Sequence, residues 1–253
     1  MTVGALLYAF NSDINYTKIA LECANRIREY LDIPVSIVTD QPLNDSTFDK
    51  EIIVSKPSAK NYKYWQDTDK TTLWHNAGRS GSLEVTPYER TLLVDIDYMI
   101  NSNVLENLLN STQSFFAHKN VMPVTKQTTV ETFGLHKNTM WWATVVVFDK
   151  SQFSKDVFDM WQMVEQNYQH YANVFQFDGR KFRNDYALSI ALLVANGNTV
   201  PEHCDIPWPL VNVEPAVEVA LDEDRWSIDG KFYTRNQDLH IMGKSYLENL
   251  YAV

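Results

Sequence analysis

Apolar and polar positions along this chain fall into two periods. Val3 to Phe10 is a near-continuous apolar run of strand length, the pattern of a strand buried on both faces, and a turn-forming cluster, Asn11 to Asn15, follows it. Ile19, Ala20, Cys23, Ala24, Ile27, Tyr30 and Leu31 then recur at helical spacing. Pro34 ends that helix, and Val35 to Thr39 reads as a second strand closed by Asp40. The first forty residues therefore predict a βαβ unit and, with it, a parallel sheet. Glu51 to Val54 and Thr91 to Val94 predict two further strands, the second running straight into Asp95-Ile96-Asp97. Asn103 is placed to cap a helix carrying Val104, Leu105, Leu108 and Leu109. Ser114 to Ala117 predicts another strand, and Thr144 to Phe148, β-branched in its middle, predicts the clearest late one. Phe153, Val157, Phe158, Trp161, Val164 and Tyr168 repeat with helical period, and Asn184 is placed to cap a last helix with Tyr186 to Ala195 inside. From Thr199 on, Pro201, Pro207, Pro209 and Pro215 interrupt a stretch of little periodicity, which predicts extended segments and loops wrapping the sheet. Lys56 to Ser82, polar and aromatic without a period, is a candidate flap.

With 253 residues and no linker or repeat, the chain predicts a single α/β domain with a mostly parallel central sheet flanked by helices. Apolar residues at 45% and charged ones at 21% are globular values, which excludes a disordered or fibrous chain. Met140 to Phe148 and Ala187 to Ala195, the longest apolar stretches, fall short of the roughly 18 residues of a membrane span. The N-terminal MTVGALLYAFNSD lacks the basic region of a signal peptide, so a cytoplasmic location is expected. Cys23 and Cys204 make neither a disulfide framework nor a CxxC motif, which fits a reducing compartment. A net charge of −10 repels polyanions unless basic groups gather on one face, and Lys56/Lys60/Lys63 and Arg180/Lys181/Arg183 are the clusters available for that. Eight glycines include no GxG pair, so the dinucleotide fingerprint is absent. Gly243-Lys244-Ser245 matches only the end of a P-loop, because Asp238 stands where the first Gly belongs; HExxH and GxSxG are absent as well.

Open parallel sheets bind ligands outside the carboxyl ends of their strands. Asn11 follows the first strand, Asp40 ends the second, and Asp95 and Asp97 follow Thr91 to Val94, so these side chains are expected to meet at one edge. Two aspartates separated by one residue in an extended segment face the same side and can grip a divalent cation. Desolvated carboxylates beside a buried strand are costly without such a partner. The plain alternative is a pair of solvated loop acids.

The segment Thr86-Pro87-Tyr88-Glu89-Arg90-Thr91-Leu92-Leu93-Val94-Asp95-Ile96-Asp97-Tyr98-Met99-Ile100 resembles the DxD segment of GT-A-fold glycosyltransferases. Trp142 to Lys150 (WATVVVFDK) resembles their acceptor-side strand, and Arg183-Asn184-Asp185-Tyr186-Ala187-Leu188 the acidic helix start seen later in such enzymes. His240-Ile241-Met242-Gly243-Lys244 is similar to the start of the HxxGxxKPW ending of glycogenin-like retaining transferases, although Ser245-Tyr246-Leu247 follow where Lys-Pro-Trp would close it. The resemblance implies one GT-A-like, Rossmann-like domain over residues 1–253, with 1–100 the nucleotide-sugar-binding half and 101–253 an acceptor half ending in a metal-site segment. It also implies a nucleoside diphosphate sugar, uridine-linked, as donor. Ala9, Asn11 and Asp40 would lie by the base and ribose, Arg79, Gly243 and Lys244 by the phosphates, Asn184 and Asp185 by the reacting sugar, and Trp141 and Trp142 on the acceptor side.

In this reading Asp97 and His240 bind the metal and Asp95 binds metal or ribose; a carboxylate–imidazole set suits Mn²⁺ better than Mg²⁺, which prefers oxygen. Asp185, at a helix N-terminus, holds a sugar hydroxyl or acts as base if the reaction inverts, against a plain role in stabilising the helix start. The expected activity is metal-dependent glycosyl transfer to a small molecule, glycan or protein. Similar phage-encoded enzymes glycosylate modified bases in DNA, which would place this chain in a host cytoplasm, but the charge of −10 disfavours a DNA acceptor. The alternatives are a non-catalytic nucleotide-sugar-binding module and a nucleotidyltransferase; the latter normally has a Gly-rich loop where Asn11 to Asn15 has no glycine.

Overall fold

The computed structural model describes residues 1–57, 61–65, 70–124, 126–215, 217, 219–222, 225–228, 231–234, 236–243 and 247. At its centre lies a six-stranded sheet in the order Lys50–Ile53, Val35–Thr39, Val3–Tyr8, Arg90–Val94, Trp142–Asp149, Phe115–His118. Within this sheet only Trp142–Asp149 runs against the rest, so the mostly parallel α/β architecture expected from the apolar runs is the one found. Val35–Thr39 and Arg90–Val94 are buried along their whole length, which is why they read as unbroken apolar runs and not as alternation.

The first crossover helix, Tyr16–Leu31, is set by its ends. The Asn15 side chain accepts the Lys18 N–H at 3.1 Å, and Asp32 turns left-handed at φ 49° two residues before Pro34. Its buried stripe of Ile19, Ala20, Cys23, Ala24, Ile27 and Leu31 covers Val3–Tyr8 and Val35–Thr39. Asn184–Ala195 packs against both Trp142–Asp149 and Gln152–Gln166, and its interior is apolar on every side because both neighbours cover it. Among the described residues no helix is long and apolar enough to cross a membrane.

A second sheet runs Thr129–Val130, Asn120–Pro123, Leu210–Val213, Leu239–Ile241, Tyr98–Met99. The extended segments expected after Thr199 are paired strands: besides its part in this sheet, the last third of the chain contributes a meander, Val219–Asp222, Arg225–Ile228 and Lys231–Thr234. Strands of three or four residues are too short to show a period between prolines. Four other elements differ from expectation. Asn103 does not cap a helix, since the helix there is the single turn Glu106–Leu109 with Val104 and Leu105 ahead of it. The periodic stretch to Tyr168 is two helices, Gln152–Gln166 and Tyr168–Phe175, divided at Asn167, whose ψ of 33° breaks the helical path. Asn184 is the first helical residue, and the extended Arg183 precedes it without a side-chain cap. Within the candidate flap, Asn61–Trp65 and Lys70–Trp74 pair as an antiparallel hairpin.

Gly4 lies in the buried part of Val3–Tyr8 because the Tyr88 ring lies on it. A Cβ there would stand 2.4 Å from two ring atoms, and the Tyr88 hydroxyl is tied to Ser36 Oγ at 2.8 Å. Gly4→Ala is expected to lose about 1–3 kcal/mol of unfolding free energy in urea; an unchanged midpoint would mean that the ring moves aside freely.

Candidate functional site

The strand Arg90–Val94 delivers its carboxyl end to the sheet edge, and there the chain turns back. Tyr98 N donates to Asp95 O at 2.9 Å, so Asp95 to Tyr98 form a tight turn. Asp95 and Asp97 are therefore brought to one side by a turn and not, as expected, by extended alternation. Asp95 N donates to Thr144 O at 2.8 Å, which fixes the turn against the neighbouring strand.

After the turn, Tyr98–Met99 pairs with Leu239–Ile241 so that His240 lies opposite Tyr98, and Ile241 N donates to Asp97 O at 2.9 Å. This register gathers Asp95, Asp97 and His240 into a cluster in which one ligand atom from each lies within 4.8 Å of the others. His240 Nε2 is 3.5 Å from Asp97 Oδ2, while Nδ1 faces Asn212 Oδ1 at 2.8 Å across the Leu210–Val213 pairing. An Nδ1 that donates to the Asn212 oxygen would leave Nε2, which is turned towards the two acids, to offer its lone pair to a cation. Arg79 Nη1 donates to Asp95 Oδ1.

The cluster opens on a cavity of about 420 Å³. Tyr8, Phe10, Tyr16 and Trp142 give it aromatic walls, and the Trp142 ring meets the His240 ring edge-on at 6.4 Å. The Tyr8 hydroxyl accepts from Ser82 Oγ at 3.1 Å, and burial pushes its pKa up to about 12. Across the cavity stand Arg183, Asn184 and Asp185. Asp185 Oδ1 accepts the Ala143 N–H at 3.1 Å and Oδ2 accepts Arg183 Nη2 at 3.0 Å; the Arg183 guanidinium lies 4.5 Å over the Tyr186 ring. Asn184 Nδ2 donates to Asn76 O at 2.6 Å. Glu131 lies near this pair, its pKa raised by burial and by Asp185 and opposed by Arg183.

Of the residues singled out from sequence, Arg79, Asp95, Asp97, Trp142, Asn184, Asp185 and His240 line this cavity. Trp141 does not: just ahead of the strand Trp142–Asp149, it is 1% exposed and packs in the core. Ala9 is buried, with its N–H on Val38 O at 3.0 Å. Asn11 spends its side chain on Thr17 at the start of the first helix, and Lys56 bridges the Asn11 carbonyl at 2.5 Å and Asp40 at 3.3 Å. These three, and the buried Gly243, lie outside the cavity lining. Lys244 and Lys60 lie outside the described residues, as does the side chain of Lys63. In the second basic cluster Arg180 is paired with Asp178 and Arg183 with Asp185, while Lys181 lines the cavity.

Sequence reasoning missed Asn212, His75 and, of the aromatic wall, Tyr8, Phe10 and Tyr16. Asn212 had a signal, a polar residue inside the apolar strand Leu-Val-Asn-Val; Tyr8 and Phe10 read only as part of a buried strand.

No family model and no curated protein matches the chain. Among solved structures, galactosyltransferase LgtC in complex with donor and acceptor sugar analogues is similar at a TM-score of 0.50 and 12% identity, over 78% of this chain and 72% of that one. Mouse xyloside xylosyltransferase 1 is similar at a TM-score of 0.43 and 9% identity, over 79% of this chain and 84% of that one. PaToxG glycosyltransferase is similar at 0.42 and 12%, over 77% and 69%. The likeness to LgtC identifies the fold, a central mostly parallel sheet flanked by helices, as the GT-A type.

Behind the cluster, burial pushes the His118 pKa down to about 3, and its Nδ1 faces Trp208 O at 3.1 Å. Unfolded, this imidazole titrates at 6.5, so between these values the unfolded chain binds more protons. The stability from neutral burial is complete above pH 6.5 and lost as the pH falls towards 3. His118→Leu is expected to flatten the fall in urea midpoint between about pH 7 and about pH 5, whatever its stability at neutral pH. A slope equal to wild type would assign the acid sensitivity to other groups.

Proposed function

We propose that this chain transfers a sugar from a nucleoside diphosphate sugar, uridine-linked, to a hydroxyl acceptor, with a divalent metal held by Asp95, Asp97 and His240. The observation that carries this reading is that cluster, placed at the carboxyl edge of the central strand inside an aromatic-walled cavity of a GT-A-type fold. The residues fit a metal: two carboxylates and an imidazole whose Nε2 is turned to them while its Nδ1 faces Asn212. An imidazole among the ligands favours Mn²⁺ over Mg²⁺. A divalent ion there supplies a Lewis acid that offsets the charge gathered on a departing diphosphate.

The rest of the cavity divides the remaining work. Arg79 holds Asp95 in the ligand position. Lys181, exposed on the rim, is available to phosphate oxygens. Asp185 is fixed by Ala143 N and by Arg183, so its oxygens are oriented before a sugar arrives, and with Asn184 it is suited to hold sugar hydroxyls. Trp142 offers an aromatic edge to the acceptor side.

Asp97→Asn keeps the shape and removes a charged ligand. Calorimetry should show Mn²⁺-dependent UDP binding by the wild type and none by the variant at the same concentrations, with little change in Tm. Wild-type affinity in the variant would end the metal assignment.

Asp185→Asn should leave UDP binding intact and lower kcat for transfer or donor hydrolysis by about 10²-fold or more. A normal kcat would return Asp185 to the plain role of an acid at a helix start.

A further inference from the structure

A second cleft of about 790 Å³ lies beside the first cavity, and Asn76 and Ala77 line both. The wall between them is tied by side-chain amides. Asn61 Nδ2 donates to Asn76 Oδ1 at 2.8 Å and to Phe182 O at 3.0 Å, Asn61 Oδ1 accepts Phe182 N at 3.1 Å, and Asn76 Nδ2 donates to Phe182 O at 3.0 Å. On its other side the Asn76 carbonyl accepts Asn184 Nδ2 at 2.6 Å, so one residue joins the cleft to the wall that carries Asp185.

The cleft is lined by the kinds of side chain that recognise polyols. Gln166, Asn167 and Gln169 stand on it, and the Tyr168 and Phe182 rings meet edge to face at 4.9 Å. A planar amide offers a donor and an acceptor side by side, which matches two neighbouring hydroxyls, and a ring face or edge covers the C–H surface of a pyranose. Its volume is in the range of about 300–1,000 Å³ typical of small-ligand sites.

Its Arg180 and Glu165 are already paired. Arg180 lies on Asp178 through contacts of 2.9, 3.0 and 2.6 Å. The Glu165 carboxylate accepts Gly78 N and Ser80 Oγ, both at 2.8 Å, and burial raises its pKa. A phosphate backbone would meet an acid here and no row of cations, whereas a neutral saccharide would meet hydrogen-bonding groups.

We propose that this second cleft holds the inner residues of a saccharide chain whose terminal hydroxyl reaches the first cavity past Asn76, so that the acceptor is an oligosaccharide or glycoconjugate. The proposal rests on the glycosyl-transfer reading of the first cavity.

Labelled wild-type protein and the double variant Gln166→Ala/Gln169→Ala, both changes at exposed positions, are applied to a printed array of mono- to hexasaccharides and to a hydroxymethylated DNA oligomer at low salt. Neither donor nor metal is present in this arm. The wild type is expected to be retained by saccharides longer than one unit, and the variant about tenfold more weakly. UDP binding in Mn²⁺, read by calorimetry on the same two proteins, is expected to be equal. No retention on any saccharide, equal retention of both proteins, or DNA binding that the double variant abolishes would overturn the proposal. Loss of UDP binding by the wild type would instead overturn the donor reading, and it is seen on a different probe.

Discussion

The site depends on one pairing of backbones: Tyr98–Met99 against Leu239–Ile241. That contact joins two segments about 140 residues apart, and without it His240 has no reason to lie near Asp95 and Asp97. Closing so long a loop costs entropy that grows only slowly with length, and the contact is held by more than its ladder. Asp238, next to the strand, accepts Asn101 N at 2.8 Å, Ser102 Oγ at 2.9 Å and the Tyr98 hydroxyl at 3.3 Å. Burial pushes the Asp238 pKa up to about 6 in spite of these bonds. A buried carboxyl with several donors fixes the register more sharply than an apolar residue would, because a one-residue slip leaves it unpaired.

The same site is balanced in charge before any ligand enters. Three carboxylates, Asp95, Asp97 and Asp185, face Arg79, Lys181 and Arg183 around one cavity, and Arg79 and Arg183 each contact one of the acids. A divalent ion added to such a set turns the local field positive while the chain as a whole stays at −10. Such a field would draw a diphosphate to this cavity and not to the general surface, as the proposed donor requires.

Much of the first sheet was legible because its strands are buried on both faces and so appear as apolar runs, and the DxD turn followed because it ends one of them. The second sheet was not legible. Its strands have two to four residues each, and Tyr98–Met99 had been absorbed into the reading of the acidic pair. His240 was found by its likeness to a motif, but Asn212, which faces its Nδ1, carries no motif. Trp141 and Trp142 show the limit of parity arguments: the alternation of a strand says that one of two neighbours points inward, and only the neighbouring Asn184–Ala195 helix decides which. Ser189 Oγ on that helix accepts Trp141 N at 2.7 Å, and Trp141 packs in the core. Asn11 and Asp40 follow their strands as read, yet Thr17 holds the Asn11 side chain and Lys56 pairs with Asp40, and a sequence does not display such pairings across the fold.

The two sheets also explain why the first and second halves of the chain act as one structure. Residues 1–100 supply four neighbouring strands of the central sheet, but its remaining two, Trp142–Asp149 and Phe115–His118, come from the second half. The debt runs the other way in the second sheet, where Tyr98–Met99 is the edge strand on Leu239–Ile241. Each half leaves a sheet edge open without the other, and an open edge is unpaired backbone. The candidate cavity sits where these exchanged strands meet, taking Tyr8, Arg79, Asp95 and Asp97 from one half and Trp142, Asp185 and His240 from the other. Its geometry is therefore set by the same hydrogen bonds that close the sheets, so Asp95, Asp97 and His240 come together only when both sheets are complete.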